Sequence, residues 1–360
     1  MPAWPDRRIL DLFHVELPII QAPIAGPATP ELVIAVIEAG GLGSLPTATL
    51  SVEQTRQSLE RIRQATPGPL NVNFFCHTPP EADPAQQVAW RARLAAYYVE
   101  LGLDPQPAVP VGSRSPFNDD YCALVEEFRP EVVSFHFGLP EPALLARVKA
   151  AGAKVIASAT TVAEARWLEE RGCDAIIAMG LEAGGHRGNF LSDDMATQVG
   201  TFALVPQVCD AVSVPVIAAG GIADARGIVA AMALGAAAVQ IGTAYLFSPE
   251  CRVPAPHLAA LKASDDDSTA LTNIFTGRPA RGIMNRVMRE VGPIAAEAPA
   301  FPLAGGALAP LRAASEPQGS GDFMSLWSGQ AARLAPRLPA GELTRRLADE
   351  ALARLAALGA

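Results

Sequence analysis

The sequence predicts an α/β fold: a (β/α)8 barrel of the TIM type with a C-terminal helical extension. Three observations predict it. Eight short apolar runs alternate with helical patterns between residues 17 and 246. The runs are continuous rather than alternating, as in parallel strands buried on both faces, and the segments joining them are long enough for crossover helices. The chain has 360 residues, more than one minimal barrel of ~250 residues and less than two full domains. An open doubly wound sheet alternates in the same way; the count of eight favours the closed barrel.

The first run is Leu17–Ile24. The helix after it opens Thr29-Pro30-Glu31, with Thr as N-cap and Pro at the first helical position. Gly43–Pro46 is the second strand, and Ser51-Val52-Glu53-Gln54 is a capping box into a helix ending near Thr66. Leu70–Phe75 is the third, with a long helix near 84–101 and a Pro-rich insertion near 103–118. Val132–Phe137, Lys154–Ser158 and Ala175–Met179 follow, with helices near 141–151, from Thr161 to Gly172, and near 202–212. Val214–Ala219 leads to a helix from Asp224 to Gly235, and Ala238–Gly242 is the eighth strand. Residues 1–246 are thus the expected barrel. Residues 247–360 are the expected helical region packing over the site, with helices near 255–263, 268–290, 322–335 and 341–358. A Gly/Pro/Ala-rich loop at 291–321 is long enough for a lid.

Composition narrows the function. At 50% hydrophobic and 18% charged residues, the chain is too apolar for disorder. Twenty-eight basic against 37 acidic residues leave a net charge of -9, and without a basic block nucleic acid is a poor partner. The five cysteines are scattered with no C-x-x-C, which points to free thiols in a reducing cytosol rather than disulfides or structural zinc. Met1–Arg8 leads into charged sequence, and no run is apolar for the length of a membrane helix; a cytoplasmic protein is expected. There is no H-x-x-H for a metal, no G-x-S-x-G elbow and no Walker loop. Nothing in the sequence sets an oligomeric state.

In such a barrel the loops after the strands build the active site. After the sixth strand comes Gly180-Leu181-Glu182-Ala183-Gly184-Gly185-His186-Arg187-Gly188. Glycines allow close backbone approach to a ligand, and a histidine among them can move a proton at neutral pH; its position at the catalytic face favours this over a plain turn. Gly220-Gly221 and Gln240-Ile241-Gly242-Thr243 end the seventh and eighth strands, where such barrels place a phosphate. His136 lies in an apolar run; it is either a satisfied core histidine or a pocket residue.

Gln21–Gly26, Asn71–Phe75, Ser134–Gly138, Glu182–Gly188 and Pro215–Ile222 together resemble the nitronate monooxygenase (2-nitropropane dioxygenase) family, class I branch, over residues 8–335. The resemblance implies a non-covalent FMN in a TIM barrel, a small-molecule nitronate substrate, and O2 as acceptor, giving a carbonyl compound and nitrite. It implies His186 as the catalytic residue. It implies flavin contacts from Ala22, Pro23, Asn73, Met179, Gly184, Gly221, Gln240, Ile241, Gly242 and Thr243, and a substrate pocket near His136 and Phe301. Two positions depart from the family pattern. Met179 stands where a glutamine is usual, and a thioether donates no hydrogen bond. Phe301-Pro302 stands where many relatives have Tyr-Pro, which makes the pocket more apolar. An NAD(P)H-dependent flavin reductase acting on quinones or enoyl thioesters is the alternative on the same barrel. A flavin- or phosphate-binding protein without turnover is the remote one.

Overall fold

A computed structural model describes residues 4–81, 83–105 and 114–359. Eight strands lie where the apolar runs are. They are β1 (Ile19–Gln21), β2 (Gly43–Pro46), β3 (Leu70–Phe75), β4 (Val132–His136), β5 (Lys154–Ala159) and β6 (Ala175–Met179), then, beyond the short β7 (Gly185–His186), β8 (Val216–Ala219) and β9 (Ala238–Ile241). They form one parallel sheet in the order β1-β9-β8-β6-β5-β4-β3-β2. A parallel bridge between Ile20 and Leu42 ties β1 to the start of β2 and brings the two ends together. The result is a TIM-type barrel. Most strand residues are buried on both faces, which is why the runs read as continuous.

Local signals acted as expected. Ser51 Oγ accepts from the Gln54 N–H at 3.2 Å while Gln54 Oε1 accepts from the Ser51 N–H at 2.9 Å. Thr29, Thr161 and Asp224 cap their helices through side-chain oxygens. Part of the Pro-rich insertion, 106–113, lies outside the described residues.

The tail departs from the expected series of helices. Residues 268–290 are an antiparallel hairpin, β10 (Thr269–Thr272) and β11 (Ala280–Ile283), followed by the short helix Arg286–Val291. β11 pairs on its other side with β7, so Ala280 lies opposite His186. The hairpin owes its form to that long-range partner, not to local propensity. Residues 322–335 form turns with one 3₁₀ turn, Ala332–Leu334. The expected 291–321 loop contains a helix, Gly305–Ser315. Its glycines and Pro310 disfavour helix, but Ala307, Leu308 and Leu311 pack with Trp90, Leu94 and Tyr98 of helix Pro84–Glu100 in one apolar cluster. The last helix, Ala340–Leu358, packs against helices Pro30–Glu38 and Ala225–Ala233. It joins the barrel's outer ring beside β9 and β1 instead of lying over the mouth, and Tyr245 bonds its Thr344 hydroxyl at 2.7 Å. The cover over the site comes from the stretch before it, where Met324, Trp327 and Gly329 line the mouth. Among the described residues no helix is long and apolar enough to cross a membrane.

Candidate active site

The parallel register sets the site. Asn73 pairs with Ser134, Met179 with Ala219, and Ala219 with Gln240, so these residues stand at one end of the barrel. A cavity of about 450 Å³ opens there. Asn73, His136, Met179, Gly184, His186 and Gly221 line it, as do Ala22, Pro23, Gln240, Gly242 and Thr243. Two sequence candidates are not on its wall. Ile241 is fully buried in the barrel core, because it alternates with Gln240 along β9. Phe301 sits one layer behind, its ring 5.3 Å from that of His186.

His186 is held by its neighbours. Thr276 Oγ1 lies 3.0 Å from His186 Nε2 and 3.3 Å from the Arg278 carbonyl. In the arrangement in which the hydroxyl donates to that carbonyl, it accepts from His186 Nε2–H. That leaves Nδ1 as the basic atom, with no hydrogen-bond partner among the described residues. Burial, reinforced by the nearby Arg114, holds the His186 imidazole well below its usual range, so it is neutral.

His136 answers the question left open by its sequence. Its Nε2 faces the His186 carbonyl at 3.2 Å and its Nδ1 faces the Ser158 hydroxyl at 3.1 Å. The carbonyl fixes Nε2 as the protonated nitrogen, and Nδ1 accepts from Ser158. Burial lowers its pKa to about 3. It lines the cavity with both nitrogens engaged, and it steadies the main chain of His186.

Several contributors were not legible in the sequence. Arg187 is fully buried and donates to the carbonyls of Gly180 at 2.6 Å and Met179 at 2.9 Å and to Gln198. Glu164 takes the N–H groups of Phe190 and Leu191 at 2.6 and 3.2 Å. Together they brace both flanks of the glycine-rich loop. Phe75, Phe137 and Trp327 complete an aromatic surround, 6.0, 6.0 and 5.5 Å from the His186 ring. Thr276 and Trp327 lie 90 and 141 positions beyond His186 in the sequence, and no local pattern marks either.

The cavity has the features of a nucleotide-type ligand site. Gln240 Oε1 is buried and has no partner among the described residues, an acceptor that a ligand N–H would satisfy. Gly220 and Gly221 line the cavity with φ of +113° and +70°, conformations that glycine adopts without the strain of a Cβ. A Cβ on Gly184 meets the Gly329 nitrogen at 2.4 Å. The N-terminus of helix Thr201–Ala211 is already taken by Glu182, which accepts the Thr201 N–H at 2.8 Å. The start of the 3₁₀ turn Thr243–Phe247 has no side-chain cap.

A profile of the nitronate monooxygenase family matches residues 6–350. The chain belongs to that family. A nitronate monooxygenase of Pseudomonas aeruginosa is 42% identical over 349 residues, covering 95% of this chain and 98% of the relative. One of Paraburkholderia phytofirmans is 41% identical, covering 96% and 94%. Among solved structures, a nitroalkane oxidase of Streptomyces ansochromogenes matches with a TM-score of 0.88 at 40% identity, over 98% of this chain and 99% of that one. FabK of Thermotoga maritima matches with a TM-score of 0.73 at 29% identity, over 98% of each chain. Membership makes the chain an oxidoreductase and implies a flavin cofactor, and the orphaned Gln240 acceptor and the glycine cradle fit such a group.

Proposed function

We propose that this chain oxidises alkyl nitronates at bound FMN with O2 as acceptor, releasing a carbonyl compound and nitrite. The observation that carries the reading is a neutral His186 with a free Nδ1, on the wall of a glycine-lined cavity in a chain of this family. Asn73, Met179, Gly184, Gly221, Gln240, Gly242 and Thr243 are the residues proposed to hold the flavin, which supplies electron acceptance when bound. Asn73 is already oriented: its Nδ2 donates to Ser134 Oγ at 3.0 Å.

His186 works as a base. A neutral imidazole with Nε2–H bonded to Thr276 takes a proton at Nδ1. It can remove the α-proton of a neutral nitroalkane and so produce the nitronate in place. With a nitronate delivered from solution, no α-proton needs removal and His186 orients the anion. Phe75, Phe137 and Trp327 keep water from the reacting carbon and strengthen each polar contact made there.

The test is His186→Asn with oxygen uptake. The variant is expected to keep a flavin absorbance spectrum and to lose about 10²-fold or more of turnover on a neutral nitroalkane, the usual scale for a removed general base. Loss on the pre-ionised nitronate is expected to be smaller. Unchanged turnover on both substrates refutes the assignment. Anaerobic mixing separates the reductase reading: flavin bleached by NADH or NADPH but not by nitronate means that the chain is a reductase.

A further inference from the structure

A nitronate is an anion, and a neutral His186 does not balance its charge. The wall of the cavity holds one group suited to do so. Arg114 lines the cavity, with its guanidinium carbon 5.6 Å from the centre of the Phe301 ring. Phe301 in turn meets the His186 ring edge-on at 5.3 Å, so Arg114 and His186 flank the same aromatic side chain. Arg114 is half-buried, and burial lowers its pKa with no carboxylate acting against that. The residues outside the described set include no Asp or Glu.

The other arginines near the site are committed. Arg187 is tied to carbonyls and Gln198. Arg281 donates to the Leu181 carbonyl at 3.0 Å and to Thr269. Arg278 donates to the Asn189 carbonyl and stacks on Phe137 at 4.2 Å; its Nε has no partner among the described residues, but the residue does not line the cavity. Arg312 pairs with Glu316 at 2.8 Å, and Arg252 is exposed at the rim. His77 helps to place Arg114. Its Nδ1 is buried without a partner, and the ring is hydrogen-bonded to the Arg114 main chain.

We propose that Arg114 is the counter-ion of the substrate anion and the residue that makes the site prefer an ionised nitronate over its neutral nitroalkane. The inference rests on the preceding reading for the identity of the substrate. A half-buried cation without a carboxylate is costly to the folded state, and an arriving anion offsets that cost. The planar guanidinium fork matches two oxygens on one nitrogen, as it matches a carboxylate, and a dry site strengthens the pair.

The experiment compares the holoenzyme with Arg114→Gln and Arg114→Lys. KM and kcat are measured for a nitronate and for the parent nitroalkane. Sodium nitrate, a planar monoanion, is titrated against the flavin absorbance. In Arg114→Gln, KM for the nitronate is expected to rise about tenfold or more, the loss of one charge-assisted contact. Its kcat stays within about threefold, KM for the neutral nitroalkane barely changes, and the nitrate affinity falls by the same factor as the nitronate. Arg114→Lys is expected to recover part of both, because it keeps the charge and loses the fork. A nitronate KM and a nitrate affinity within about twofold of wild type in Arg114→Gln overturn the proposal, since one charged contact is worth more than that. If Arg114→Gln does not fold, unchanged values in Arg114→Lys do so, because a site that reads the fork is altered by Lys. If the wild type consumes no nitronate, the substrate reading fails. The nitrate titration still decides Arg114: a nitrate-induced spectral change in wild type that is absent from the variant upholds an anion site, and the same change in both removes it.

Discussion

Replacing Gly184 with Ala tests whether the chain crossing at the mouth leaves room for nothing but a hydrogen. A Cβ there lies 2.4 Å from the Gly329 nitrogen, 2.6 Å from the Ser328 carbonyl carbon and 3.1 Å from the Ser328 Cα. All three are backbone atoms, so no side chain can swing aside and the two segments must part. Two hydrogen bonds cross the gap: Gly329 N–H to Thr243 Oγ1 at 2.9 Å, and Gln330 N–H to the Glu182 carbonyl at 3.1 Å. Overpacking costs about 1–3 kcal/mol, and each weakened bond about 1 kcal/mol more. The expected loss is therefore roughly 3–5 kcal/mol where the crossing strains and its bonds weaken together. If the segments part fully, Thr243 and Gly184 separate and the proposed flavin cradle widens. Urea unfolding of the apoprotein measures the first outcome, and fluorescence titration with FMN measures the second. Either the unfolding free energy falls by at least about 2 kcal/mol or the FMN affinity weakens at least about tenfold. A Gly184→Ala variant that unfolds and binds FMN like wild type refutes the close approach and the place of Gly184 in the cradle.

Other outcomes follow from buried polar groups. Burial lowers the pKa of His136 to about 3 and of His77 and His257 to about 4. Below about 6.5 the unfolded chain takes up these protons and the folded chain does not, so stability is complete above that pH and declines on acidification, by about 1.4 kcal/mol per pH unit for each imidazole. The urea midpoint is expected to drop between pH 7 and 5, and less steeply in His257→Gln; a midpoint that is level over that range contradicts three neutral buried histidines. Tyr98 donates to the Ala307 carbonyl at 2.6 Å within the cluster that joins helix Pro84–Glu100 to helix Gly305–Ser315. Tyr98→Phe removes that hydrogen bond and is expected to cost about 1 kcal/mol in the same assay; no change would mean that the bond adds nothing to stability.

The barrel was legible because its signals are local. Ala175–Met179 is apolar on both faces, Val132–His136 is buried along nearly all its length, and Thr29, Ser51 and Asp224 cap the helices that follow strands with atoms only a few residues away. His186 stood out because glycines surround it in the chain. The tail misled for the opposite reason. Thr269–Thr272 and Ala280–Ile283 are strands because β11 lies against β7, and Gly305–Ser315 is helix because Leu308 and Leu311 bury against residues some two hundred positions earlier.

The amino-acid sequence determined the βα alternation, the helix caps, the glycine turns after β6, β8 and β9, and the family to which the chain belongs. These depend on residue type and short spacing. Only the tertiary structure decided that His186 is neutral with Nδ1 free, that Thr276, Trp327 and Phe301 surround it, and that Arg114 lines the same cavity with no carboxylate paired to it among the described residues. Protonation and charge balance are set by the atoms within a few ångströms, and here those atoms come from segments as far apart in the chain as Arg114 and Trp327.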